Sequence, residues 1–338
     1  MIASSPYVRK DASVGRVMSQ VCLALLPGIA VYAWLIGPAV LLQLFIATLV
    51  ALAGETVMLM LRGKPLRLFL TDGSAIVTAW LIALAFPPLA PWWLIATGTL
   101  FAIVVAKHLY GGLGQNPFNP AMVAFAACII SFPALMSQWP SQDLQLAFID
   151  QIKIVFGFAP QLDGMTAATP LDALRTALKQ GEGRVGVASI LDNTQTFGHF
   201  AGRGWEWVTL AYLFGGLWLW QRRIITWHVP AAFLAAILLL SGSLWLYNPQ
   251  AFASPLFHLF SGGIMLGAFF IATDPVSGST TPRGKLIFGA GCGLLAYLIR
   301  VFGGYPDGVA FAVLFLNICA PLISLLTQPP IYGAKGGK

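Results

Sequence analysis

The run Asp163-Gly164-Met165-Thr166-Ala167-Ala168-Thr169-Pro170-Leu171 sets two hydroxyls close to a carboxylate. On pattern alone it is a turn followed by a helix start. Thr169 can act as an N-cap, Pro170 suits the first helical position, and Asp172 to Gln180 continues a helix. A second set of groups, Glu55, Asp72, Lys107, Asp274 and Asp307, falls within or at the edges of apolar runs. Charges at membrane depth are costly, so such groups default to ion, proton or ligand sites. Glu55 is the most demanding; its alternatives are snorkelling to the interface or pairing with a basic loop residue. Asp72 precedes Gly73-Ser74 and can cap the next helix, and Asp274 precedes Pro275 and can end the previous one. The run Gly111 to Pro120 places Asn116 and Asn119 among glycines that permit close approach. That suits the polar edge of an isoalloxazine or quinone head. It equally suits a structural turn around which helices pack.

The elements that must position these groups are membrane helices. Hydrophobic residues make up 58% of the 338-residue chain and charged residues 9%, with a mean hydropathy of +0.79. Soluble proteins carry about 25% charged residues, so lipid must cover most of this one. A span needs roughly 20 apolar residues. Apolar runs lie near 17–36, 39–61, 73–87, 92–109, 121–136, 206–221, 228–247, 256–273, 285–302 and 308–327. The third is short and bounded by Thr71-Asp72-Gly73-Ser74 and Pro87-Pro88, which predicts a re-entrant or broken helix. The first lacks a small-residue cleavage site and is read as a retained span. Cys22, Cys128, Cys292 and Cys319 lie singly in apolar runs and predict no metal site.

The formal net charge of +7 is read as topology, with no nucleic-acid partner. Arg9, Lys10, Arg16, Arg62, Lys64, Arg67, Lys107, Arg222, Arg223, Arg283, Lys285, Lys335 and Lys338 all fall on one side when the N-terminus is cytoplasmic; Arg300 is the exception. The positive-inside rule therefore predicts cytoplasmic N- and C-termini and an external, periplasmic segment 137–205. Residues 1–136 and 206–338 form two membrane halves of five helices each. Lys107 to Ala121 and Arg300 to Ala310 both run from a base through an aromatic and Gly-Gly into an apolar helix. Each joins the fourth and fifth spans of its half. Because five is odd, the halves are inverted, and ligand sites of such folds sit at the repeat interface. The fold class is thus an all-α polytopic membrane protein with about ten spans in two inverted repeats.

Several short motifs together resemble one family. They are Ser5-Pro6-Tyr7-Val8-Arg9 with Ser13 to Met18, Thr71 to Ser74, Gly111 to Ala121, Ala272 to Ser277 and Gly303 to Gly308, in order along the chain. With Asp163 to Thr169 they are similar to the family of the D subunit of Rnf electron-transport complexes and the B subunit of the sodium-translocating NADH:quinone reductase. Its motif Asp-Gly-x-(Ser/Thr)-(Gly/Ala)-Ala-Thr bears FMN on the final Thr through a phosphoester. Ala167 stands where many relatives have Gly. The Thr169-Pro170-Leu171 run that begins at the acceptor and the chain length favour the Rnf branch; an NqrB-like subunit or a non-redox transporter or channel is the alternative.

The resemblance implies a subunit of a ferredoxin:NAD-type, ion-translocating oxidoreductase complex of the bacterial inner membrane, inactive alone. It implies covalent FMN on Thr169, with Asp163 and Thr166 as the matching motif positions. It also implies the other membrane and peripheral Rnf subunits as partners, and a flavin transferase that matures the chain. A second, noncovalent flavin such as riboflavin is expected between the spans, with Asp72, Asn116, Asn119 and Asp274 lining it or an ion path. No catalytic residue of its own is expected.

Overall fold

Ser13 opens the first helix: its hydroxyl accepts from the Arg16 amide at 3.3 Å, and α1 runs over Val14–Leu35. The computed structural model describes residues 13–141, 146–160, 163–181, 185–305 and 307–328. Ser5 to Arg9, Lys10, Lys335, Lys338 and the side chain of Asp163 lie outside the described residues. After Gly37-Pro38 the chain returns as α2 (Ala39–Leu61). A short helix α3 (Leu66–Leu70) follows, then α4 (Ser74–Ala85). The next long helix, α5 (Trp92–Leu100), widens into a π-helix over Phe101–His108. The first half closes with α6 (Pro120–Ser131) and one further turn, α7 (Pro133–Met136).

Residues 137–205 fold into small elements with a little core of their own. Strand β1 (Trp139–Pro140) pairs antiparallel with β2 (Thr166–Ala167), in register Trp139 with Ala167. Helix α8 (Phe148–Val155) lies between them in sequence. Then come α9 (Pro170–Gln180) and α10 (Val187–Leu191). Leu171, Leu174, Val187 and Phe197 pack with Ala253 and Phe257 of the second half.

The second half contains α11 (Trp205–Gln221), α12 (His228–Tyr247) and α13 (Pro255–Phe260). Next is α14 (Ile264–Leu266), which continues as a π-turn over Gly267–Ile271. Helices α15 (Pro282–Phe302) and α16 (Val309–Leu326) complete it. Helices α1, α2, α12, α15 and α16 are long and apolar enough to cross a membrane. The chain is an all-α polytopic membrane protein.

The third, fifth and eighth apolar runs do not form full spans. At 1.5 Å per residue, α4 and α6 are each about 18 Å long, against a hydrocarbon core of about 30 Å. The break in the third run agrees with its short, proline-bounded sequence; hydropathy alone makes the fifth and eighth continuous. Pro133 ends α6, because the residue before a proline is pushed out of the helical region; Phe132 has φ −132° and ψ 55°. Gly262, at φ +64°, separates α13 from α14.

Helices α1 and α11 run in opposite directions. Helix α1 starts beside Thr71, whose carbonyl lies 3.1 Å from where a Cβ on Gly15 would stand. Helix α11 starts at the opposite end of α1, where Trp205 meets Tyr32 and Trp139 with ring centroids 5.3 and 5.5 Å away. The two helices cross antiparallel through glycines. A Cβ on Gly215 would lie 2.0 Å from the Ala24 carbonyl oxygen, and one on Gly28 would enter the Tyr212 ring. Small residues allow this approach in membranes, where apolar helices gain nothing by leaving lipid and contact must come from packing.

Candidate functional site

Two cavities lie back to back where the halves meet. The first, of about 170 Å³, faces the 137–205 segment. Its wall holds the aromatic rings of Tyr32, Phe125, Trp139, Trp205 and Tyr212, with Asp307 and Thr169 at its edge. The hydroxyls of Tyr32, Tyr212 and Ser261 are buried without a hydrogen-bond partner among the described residues. The second cavity, of about 140 Å³, lies toward the N-terminal end of α1 and includes Met18, Ser74, Lys107, Asn116, Asn119 and Asp274. The partition between them is thin. Ala121 and Phe270 line the second cavity, while their chain neighbours Met122 and Ile271 line the first.

Thr169 reaches its place through the β1–β2 pair, which ties Thr166-Ala167 to Trp139-Pro140. The Ser141 amide also donates a hydrogen bond to the Met165 carbonyl at 3.0 Å. Gly164, Ala167 and Ala168 are exposed, while Thr169 is half-buried. Thr169 is also the N-cap of α9: its Oγ1 accepts from the Asp172 amide at 3.2 Å and donates to Asp172 Oδ2 at 3.1 Å. Burial pushes the Asp172 carboxyl above its ordinary value, opposed by the Thr169 hydroxyl and Arg175. Arg175 in turn donates to the carbonyls of Gly303 and Gly304. That contact fastens α9 to the turn between α15 and α16.

Each cavity has a buried cation in or beside its wall. Lys107 Nζ donates to both carboxylate oxygens of Glu55 at 2.8 and 2.9 Å, and to Ser74 Oγ at 2.9 Å. His108 Nε2 lies 3.2 Å from Glu55 Oε2, and its Nδ1 lies 3.1 Å from Arg62 Nη1. An arginine can only donate, so Nδ1 accepts and Nε2 carries the proton toward Glu55. The sequence places Lys107 at the edge of the fourth apolar run; in the structure it lies at the end of the π-helix, 2% exposed. Beside the first cavity, Arg300 donates to the His258 carbonyl at 2.7 Å, the Ser261 carbonyl at 3.1 Å and Asp307 Oδ1 at 3.3 Å. Asp307 Oδ2 also accepts from the Gly263 amide at 2.6 Å.

Asn116, Asn119 and Asp274 are brought together in the second cavity, and Asp72 is not among its lining residues. The Asp72 carboxylate instead accepts from the Ser74 amide at 2.7 Å and the Ser74 hydroxyl at 2.6 Å, holding the start of α4. Asn119 caps α6 by accepting from the amides of Ala121 and Met122. Its backbone amide donates to Asn317 Oδ1 at 3.0 Å. Asn116 donates to the Phe118 carbonyl. Asp274 accepts from the Val276 amide and the Ser277 hydroxyl. Sequence reasoning missed Tyr32, Tyr212, Trp139 and Trp205, because they come from separate stretches of the chain and no motif joins them.

Comparison with known proteins gives this geometry a family. The model of the NQR2, RnfD, RnfE family matches residues 1–333. The chain belongs to the NQR2, RnfD, RnfE family. It is 50% identical to the D subunit of the ion-translocating oxidoreductase complex of Yersinia pseudotuberculosis serotype O:1b (strain IP 31758), over 99% of each chain. It is 48% identical to the protein of that name from Aeromonas hydrophila and 46% identical to that from Escherichia fergusonii, again over 99% of each chain. The family match runs through both halves and the segment between them, so both cavities and Thr169 lie within it.

Proposed function

We propose that this chain is the redox-carrying membrane subunit of a ferredoxin:NAD-type, ion-translocating oxidoreductase complex, with FMN joined to Thr169 by a phosphoester. The names of its relatives support the complex. The observation that carries the flavin reading is the position of Thr169 at the edge of the first cavity. The residues there fit the group. Trp139, Trp205, Tyr32 and Tyr212 would flank an isoalloxazine, and the tyrosine hydroxyls, without partners among the described residues, suit its polar edge. Thr169 stands at a helix N-terminus, where amide dipoles favour the phosphate. Gly164, Ala167 and Ala168 are exposed, so the motif that carries Asp163 and Thr166 is open to a flavin transferase. When bound, FMN supplies the redox chemistry, and the chain supplies position and electrostatics.

A second, noncovalent flavin such as riboflavin belongs to the second cavity, where Asn116, Asn119 and Asp274 supply polar groups to its wall. The organisation is a first membrane half (1–136), a periplasmic flavinylated segment (137–205) and a second half (206–338). Both termini are cytoplasmic in a bacterial inner membrane, and the remaining Rnf subunits surround the chain. The thin partition between inverted cavities also suits a non-redox transporter.

In-gel flavin fluorescence of the denatured chain, co-expressed with a flavin transferase, separates these readings. Fluorescence in the wild type that vanishes in Thr169→Ala is the expected result. A dark wild-type band, with the transferase active on another substrate, would overturn the flavin reading and bring the transporter forward.

A further inference from the structure

Helix α8 has more apolar surface than its contacts in the chain use. Its eight residues divide by helical angle into three faces. Gln151, Ile154 and Val155 are buried against the protein. Asp150 and Lys153 form an ion pair at 2.9 Å on a polar strip. Phe148, Ile149 and Ile152 form a stripe that adjoins the buried face and extends round the helix from it, and Phe156 continues this stripe just past the helix end. Phe148 and Ile149 are exposed, and so are Phe156 and Phe158, whose rings stack at 6.4 Å. Phe158 is 82% exposed. A helix in water has one apolar face; a second one requires a cover.

The depth of α8 indicates what covers it. Gln151 Oε1 accepts from the Ala39 amide at 2.8 Å, at the first residue of α2. Ile154 packs with Ala39 and Leu89, so α8 is level with the α1–α2 and α4–α5 turns. These turns are the ends of membrane helices. Trp34, near the end of α1, is 83% exposed, and Trp92 and Trp93 are exposed where α5 begins. The exposed rings of α8 thus continue an aromatic belt of the kind that marks a bilayer interface.

We infer that α8 and the Phe156-Gly157-Phe158 turn are an interfacial anchor. Their outer apolar face is embedded at the boundary between lipid headgroups and acyl chains, with the Asp150–Lys153 strip toward water. A helix with one polar and one apolar side lies in the plane of that boundary. The anchor fixes the height of the segment that leads to Thr169, whether or not Thr169 carries a group.

Spin labelling of the purified complex in lipid nanodiscs tests this. Nitroxides would be placed by Phe158→Cys and, separately, Lys153→Cys, with Cys22 and Cys319 replaced by alanine. Collision with oxygen reports lipid, and collision with a water-soluble nickel chelate reports solvent. The expected result is an oxygen-to-nickel ratio at position 158 several-fold above that at 153, and close to that of a label at lipid-facing Leu239, itself exposed on α12. Nickel-dominated relaxation at 158 would mean that the face is in water. Low access to both reagents with an immobilised spectrum would mean that another subunit covers it. Either result overturns the proposal.

Discussion

Lys107 and Arg300 occupy similar places in the structure. Each is a buried cation near the end of a long helix, and each precedes a Gly-Gly turn that leads into the last helix of its half. Lys107 reaches Ser74 at the start of the short helix α4, and Arg300 reaches the Ser261 carbonyl just before α14. A protein that relies on lipid-exposed helices for its shape thus secures the start of α4 and the break before α14 by charge. The counter-ions differ: Glu55 comes from α2, whereas Asp307 comes from the turn itself.

Removing one partner of a buried pair strands the other. Glu55→Gln and Lys107→Met should each destabilise the chain by about 3–5 kcal/mol. The double substitution should cost far less than their sum, because no uncompensated charge remains. Thermal unfolding of the purified chain in detergent micelles, run as a double-mutant cycle, measures the coupling.

Asp307→Ala should lower stability by a similar margin, about 3–5 kcal/mol, since it leaves Arg300 without its carboxylate. It also frees the Gly263 amide. Arg300→Lys should recover only part of wild-type stability, because an ammonium cannot reproduce a guanidinium fork that spans two carbonyls and a carboxylate. The same melting assay orders the variants: wild type, Arg300→Lys, Asp307→Ala.

Gly215→Val should prevent the α1–α11 crossing, since even a Cβ there meets the Ala24 carbonyl. Gly242→Ala is the control: its Cβ meets only the Pro255 ring, at 3.7 Å. Alanine there should be neutral or stabilising by up to about 1 kcal/mol. Size-exclusion profiles in detergent distinguish the two outcomes.

Thr169→Ala removes an N-cap worth about 1 kcal/mol, too little to unfold the chain. Thr169→Ser keeps both the cap and a hydroxyl. Amide exchange in α9 should therefore quicken in the alanine variant and stay near wild type in the serine variant. A loss of flavin fluorescence confined to alanine then cannot be ascribed to misfolding.

Asp172 gives α9 a pH dependence. Its pKa is raised by burial, so the folded state holds the proton longer than the unfolded state does. Stability of the helix should fall as pH rises from the unfolded carboxyl value of about 3.9 through the folded value, and stay lower above it. Amide exchange of α9 followed across pH should display this fall, and Asp172→Asn should abolish it.

Composition and apolar runs alone determined that this chain lives in lipid, because a chain with so few charges has no other solvent. The two basic Gly-Gly motifs predict an inverted repeat, since a motif recurring after an odd number of spans reverses direction. Thr169 was legible as a cap and, through resemblance, as an acceptor. Depth and partnership were not legible. Lys107 reads as one more basic residue at a span edge because hydropathy counts residues singly, and it cannot register that Glu55 and Ser74 arrive from other helices to neutralise and hold it. Asp72 and Asp274 look alike in sequence and each carboxylate holds its own turn, yet only Asp274 lines the second cavity. Tyr32 and Tyr212 lie in separate halves, and only the glycine-mediated crossing of α1 and α11 brings them to one cavity. Apolar free energy is additive along a chain and so can be read from it; a site depends on which side chains meet, and that is set by packing.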